Sequence, residues 1–95
     1  MKAELLVDER VHDPDGSFTE IVIWRVPRRV APSKHDYKYR MVYIVEGKRV
    51  LGYDNERGKG DHKHRGHDER PIDFISLRKL LEAVAAEVES IRGDA

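Results

Sequence analysis

Three of the chain's five histidines, His62, His64 and His67, fall within six residues of one another. They sit in YDNERGKGDHKHRGH, residues 53–67, beside Arg57, Lys59, Lys63 and Arg65 and the carboxylates Asp54, Glu56 and Asp61. Imidazole changes its charge near neutral pH and so moves protons. Guanidinium and ammonium groups hold phosphate, and imidazole with carboxylate holds metals. The segment therefore has the groups for three kinds of chemistry.

Cleavage of RNA needs a base for the 2′-hydroxyl, an acid for the leaving oxygen, and cations for the charge that builds on phosphorus. His62 and His64 can supply the proton steps. Arg57, Lys59 and Lys63 can hold the phosphate, and Arg65 extends their charge. Tyr53 can orient or donate, and Asp54 can fix an imidazole tautomer. Gly58 and Gly60 would let the backbone approach a phosphate. A metal site would instead use two or three of the histidines with Asp61 or Asp68. The flanking lysine and arginines repel a cation, no helix fixes the spacing, and the expectation is no metal and no cofactor. His62-Lys63-His64 has a period of two, so both imidazoles point the same way if the segment is extended.

No side chain from Asp54 to Arg70 is apolar, and the segment reads as a long charged loop that builds no core. A solvated linker, ordered only by a partner, is the alternative to a reactive site. His12 and His35 lie beside turns and are expected to face solvent.

The elements around the segment must position it. Leu5 to Val11 reads as a strand, and Asp13-Pro14-Asp15-Gly16 as a turn into a second strand, Phe18 to Val26. Ile21-Val22-Ile23-Trp24 is apolar on both faces, which suggests a central strand with Trp24 buried. Tyr37 to Val45 alternates: Tyr37, Tyr39, Met41, Tyr43 and Val45 form a core face, and Lys38 and Arg40 lie opposite, continuing the basic patch of Arg28 and Arg29. Glu46-Gly47 turns the chain into a fourth strand, Lys48 to Tyr53. Leu77, Leu80, Leu81, Val84, Ala85, Val88 and Ile91 follow helical spacing, with Ser76 as N-cap and Gly93 as stop. These elements predict an α+β fold: a four-stranded antiparallel meander with one C-terminal amphipathic helix packed across a face.

At 95 residues the chain is expected to be one domain, residues 1–95, small enough that a partner or homodimer would help its stability. With no cysteine it has no disulfide and no thiolate metal site, which fits the cytoplasm. No apolar run approaches membrane length. Formal net charge is zero, so gross charge gives no nucleic-acid signal, although residues 25–40 are locally basic.

The sequence also resembles a family. AELLVDER, HDPDGSF, IVIWRVP, HDYKYRMVYIVEGKRVLGYDNERGKGDHKH and a final F-x-S-L-x-x-L-L together look like the TumE-like toxins of bacterial and archaeal toxin–antitoxin pairs. The resemblance covers nearly the whole chain, and its most specific part is Tyr53 to His64. It implies a toxin whose partner is an antitoxin, often a DNA-binding protein of helix-turn-helix type, and it points to the Tyr53–His64 stretch as the site. The combined expectation is a metal-independent ribonuclease toxin acting on cellular RNA. The alternative is a non-enzymatic interaction module whose charged loop is ordered by a protein or nucleic-acid partner.

Overall fold

The structure is a computed structural model that describes residues 2–93. Six strands follow in order: β1 (Glu4–His12), β2 (Phe18–Arg25), β3 (Tyr37–Val45), β4 (Lys48–Glu56), β5 (Gly60–Arg65) and β6 (Asp68–Pro71). Each pairs antiparallel with the next, so the sheet is a meander in chain order. One helix, α1 (Leu77–Gly93), closes the fold. The α+β class and the C-terminal helix agree with the sequence expectation. The strand count does not: there are six strands among the described residues, not four. β4 runs past Tyr53 to Glu56, and the charged segment expected as a loop forms β5 and β6. Paired strands satisfy their backbone groups in the ladder, so they need no apolar side chains where their polar ones find partners.

Local chemistry sets the turns. Asp13 O accepts from Gly16 N at 3.0 Å, and the Asp15 carboxylate accepts from Ser17 N at 2.9 Å. Glu46 and Gly47 both have positive φ, 51° and 76°, the primed turn whose twist matches a tight hairpin. Ser76 caps α1 by accepting from Lys79 N at 3.1 Å.

The core lies between α1 and one face of the sheet. Leu80, Val84 and Val88 pack with Ile23, Tyr39, Met41, Tyr43, Leu51 and Tyr53. Full burial of a leucine or valine side chain stabilises by about 1.5–3 kcal/mol. Ile23 in β2 is fully buried, but its neighbour Trp24 points away from the helix and is 37% exposed, against the expectation that it would be buried. Alternation therefore leaves a second, helix-free face. On β3 it carries Lys38, Arg40 and Val42, and on β5 it carries His62 and His64.

Candidate functional site

Two rows of side chains cross the helix-free face. In one, Arg40 of β3 lies opposite Asp54 of β4, which lies opposite His62 of β5. In the next, Val42 lies opposite Gly52, Gly52 opposite His64, and His64 opposite Glu69 of β6. The period of two brings the imidazoles together, as an extended His62-Lys63-His64 requires. Their ring centroids are 5.0 Å apart, nearly perpendicular.

His62 is buried, 3% exposed. Its Nδ1 lies 3.0 Å from the Gly60 carbonyl oxygen. A carbonyl only accepts, so Nδ1 carries the hydrogen. Nε2 lies 2.6 Å from Asp54 Oδ1. Neither of those two buried atoms has an aligned hydrogen bond among the described residues. His64 is more open, its side chain 20% exposed, with Nδ1 3.8 Å from Glu69 Oε2. Asp54, His62 and His64 each offer a donor atom within 4.8 Å of the others.

Positive charge borders this cluster. Arg40 lies 3.7 Å from Glu20. Lys59 pairs with Glu69 at 2.5 Å, and its hydrogen bond holds that carboxyl below the ordinary carboxylate range. Arg49 reaches across Gly52, where an added Cβ would meet its side chain at 3.4 Å. A bulge at Val50 puts Arg49 on this face beside the His64 row. The sequence reading named neither Arg49 nor Glu69. The signal for Arg49 was Gly52, a glycine inside a strand, which often marks a close approach.

Alternation also divides the predicted residues. Tyr53, Lys63 and Arg65 lie on the helix side, away from the histidine pair, and converge on Glu87 of α1. Tyr53 donates its hydroxyl to Glu87 Oε1, Lys63 Nζ donates to the same oxygen at 2.9 Å, and Arg65 lies 3.5 Å from Oε2. Burial, and then the Glu87 bond, raises the Tyr53 phenol, so it stays protonated. Burial would raise Glu87, but Tyr53, Lys63 and Arg65 together hold its carboxyl below the ordinary value of 4.5. A depressed carboxyl contributes stability above its unfolded value and loses it as pH falls through the folded one. The gap between the urea midpoints of wild type and Glu87→Gln is expected to be wide at pH 7 and to narrow as pH falls below 4.5 and through the folded value. A gap that stays constant with pH would contradict this clamp.

The remaining candidates are spread out. Arg57 is exposed at the β4–β5 turn. Gly58 and Gly60 do not hold an open phosphate cradle. Gly58 N donates to Ala31 O at 2.7 Å, and a Cβ at Gly60 would lie 3.1 Å from Pro32, so the hairpin tip is docked on residues 31–33. Arg28 and Arg29 are exposed on the β2–β3 connection, Arg29 3.4 Å from Asp36. Lys38 shares the helix-free face and donates to the Asn55 carbonyl. His67 is exposed at the β5–β6 turn.

Asp61, expected beside the histidines in a metal reading, lies on the helix side. It accepts from the Tyr39 hydroxyl at 2.8 Å, and His35 Nε2 lies 2.8 Å from the same oxygen. His35 also stacks on Phe74, ring centroids 3.8 Å apart, and is not the solvent-facing histidine expected from its place near a turn. The segment thus divides into a histidine–carboxylate cluster on one face and a set of structural ties on the other.

Comparison with curated proteins and with solved structures finds no match. A family model described as toxin TumE matches residues 2–92, nearly the whole chain. No helix among the described residues is long and apolar enough to cross a membrane. Membership of a toxin family implies an antitoxin as partner. On that match, which spans all six strands of the sheet that holds this cluster, the chain belongs to the TumE toxin family.

Proposed function

We propose that this toxin cleaves cellular RNA in the cytoplasm on the helix-free face of its sheet, without a metal in the reaction. The observation that carries the reading is the pair of adjacent imidazoles, with ring centroids 5.0 Å apart, bordered by Arg40, Arg49 and Lys59. His64, the more open ring, meets the substrate and transfers a proton. His62, held by Gly60 and facing Asp54, is the second proton site beside it. A base takes the 2′-hydroxyl proton, the 2′-oxygen attacks phosphorus, and an acid protonates the departing 5′-oxygen. Arg40, Arg49 and Lys59, with Arg57 at the hairpin tip, stabilise the charge on the phosphoryl oxygens. Trp24, exposed on the same face next to Lys38, offers a base a surface to stack on.

The second reading, an interaction module, also has an observation behind it. β1 is an edge strand that exposes Leu5, Leu6 and Val11, a surface on which an antitoxin or a second copy can pair. Induced expression separates the two. Wild type is expected to arrest growth and to leave new ends in total RNA, and the folded His62→Ala/His64→Ala variant to do neither. Arrest by wild type without new RNA ends would transfer the reading to the interaction module. New ends with the folded double variant would remove the histidines from the chemistry.

A further inference from the structure

We propose that Asp54, His62 and His64 form a binding site for a divalent cation of the zinc class. His62 is held in one tautomer. The Gly60 carbonyl lies 3.0 Å from His62 Nδ1 and fixes the hydrogen there. In the neutral ring Nε2 is then a lone pair, and it faces Asp54 Oδ1, also a lone pair, at 2.6 Å. Both atoms are buried and neither has an aligned hydrogen bond among the described residues. Two acceptors this close, out of water, need a positive centre between them.

A metal ion satisfies that need with the ligands present. A ligating histidine commonly donates its other ring nitrogen to a backbone carbonyl, which is what Gly60 accepts. The three donor atoms lie within 4.8 Å of one another. Tetrahedral zinc with ligands at about 2.0–2.1 Å wants them roughly 3.3 Å apart, which small side-chain rotations reach. His62 and His64 project from one strand at a spacing of two, and Asp54 from its paired neighbour, so the sheet supplies the rigidity that a ligand-bearing helix would. Three protein ligands leave a fourth position open. Glu69 stands beside it, its carboxylate oxygens 3.9 Å from His62 Nε2 and 3.8 Å from His64 Nδ1. Two imidazoles select a d-block ion over magnesium or calcium. Two of the three bordering cations have carboxylates of their own: Arg40 lies near Glu20, and Lys59 pairs with Glu69.

The consequence for activity rests on the ribonuclease reading. A cation bound here occupies the nitrogens that would move protons, so it switches cleavage off rather than taking part in it.

The test titrates metal-free full-length protein with zinc chloride by calorimetry, with magnesium chloride as control. One zinc per chain is expected, with affinity weaker in Asp54→Asn and in His64→Gln by at least the roughly 10–100-fold that losing a mere hydrogen-bonding partner of a ligand costs. His64 is partly exposed, so His64→Gln keeps the test valid if a change at buried His62 unfolds the chain. Nitrogen-15 spectra are expected to show the His62 Nε2 resonance shift on zinc addition while Nδ1 stays protonated. No saturable zinc binding, or equal affinity in both variants and wild type, would overturn the site. RNA cleavage is expected to stop in one equivalent of zinc and to return with chelator. Cleavage unchanged in zinc-saturated protein would overturn the shared use of the nitrogens. Cleavage absent with and without zinc would instead overturn the ribonuclease reading, and the calorimetry would still decide the metal site.

Discussion

RNA cleavage by His64→Ala is expected to fall about 10²–10⁴-fold, the usual contribution of one positioned acid or base, while Lys63→Ala cleaves near the wild-type rate. The two residues are neighbours in sequence, equally polar and equally close to the family-like motif. What separates them is the pleat. His64 projects onto the helix-free face beside His62 and Gly52, and Lys63 projects the other way, 2.9 Å from Glu87 on α1. Removing Lys63 takes one cation from the Glu87 carboxylate and leaves Tyr53 and Arg65 to hold it. Its expected effect is a lower urea midpoint, not a lost reaction. Single-turnover cleavage of a defined RNA by both variants, each checked for fold by near-ultraviolet circular dichroism, measures the difference. Lost cleavage in Lys63→Ala with normal cleavage in His64→Ala would place the chemistry on the helix side and dismiss the site proposed above.

That same division explains which parts of the fold were legible in the sequence. Strand β3 was readable to the residue, Tyr37 to Val45, because its tyrosines, Met41 and Val45 share one face at a period of two, with Lys38 and Arg40 on the other. The Glu46-Gly47 hairpin and the Ser76-capped helix were readable because turns and caps have local residue requirements. Residues 54–71 were not, because hydrophobic periodicity has nothing to detect there. The buried positions of that stretch are Asn55, Gly60 and His62, and the groups that satisfy them include Ser33, Tyr37 and Tyr39, far away in sequence. Reading the stretch as a loop also hid its alternation. As strand, Asp54, His62 and His64 fall on one face and Tyr53, Lys63 and Arg65 on the other. The histidine cluster was visible from composition, and so was Asp54 as a carboxylate that can fix an imidazole tautomer, but not as the carboxylate of a metal site. Asp54, directly opposite His62 on the neighbouring strand, takes the place that Asp61 or Asp68 would have held in a loop.

Asn55 tests the most consequential of those hidden contacts. Asn55→Ala is expected to destabilise the fold by about 2–6 kcal/mol, from roughly 1–3 kcal/mol for each of two buried backbone groups left without a partner. The side chain is fully buried. Its Oδ1 accepts from Tyr39 N at 3.0 Å, and its Nδ2 donates to Tyr37 O at 2.7 Å and to Ser33 Oγ at 3.3 Å. The amide thus continues the β3–β4 ladder where the backbone pairing ends at Arg40 and Asp54. Against a total stability of about 5–15 kcal/mol for a domain of this size, the loss is large. Asn55→Asp keeps the shape and does not rescue it at neutral pH, because a carboxylate has no hydrogen for the Tyr37 carbonyl and its charge would be buried. Burial raises a carboxyl, so its neutral form, which can donate to that carbonyl, is favoured as pH falls. The urea midpoint of Asn55→Asp is therefore expected to approach that of wild type in acid because the variant gains stability, whereas the Glu87 gap closes because wild type loses it. An Asn55→Ala protein within about 0.5 kcal/mol of wild type would show that the amide is dispensable. The effect also reaches the site. Asn55 lies between Asp54 and the hairpin tip whose Gly60 carbonyl orients His62, so loosening it frees that imidazole to turn. A nitrogen-15 spectrum of Asn55→Ala in which His62 populates both tautomers is the expected sign that one buried amide, on the helix side of the sheet, holds the chemistry on the other.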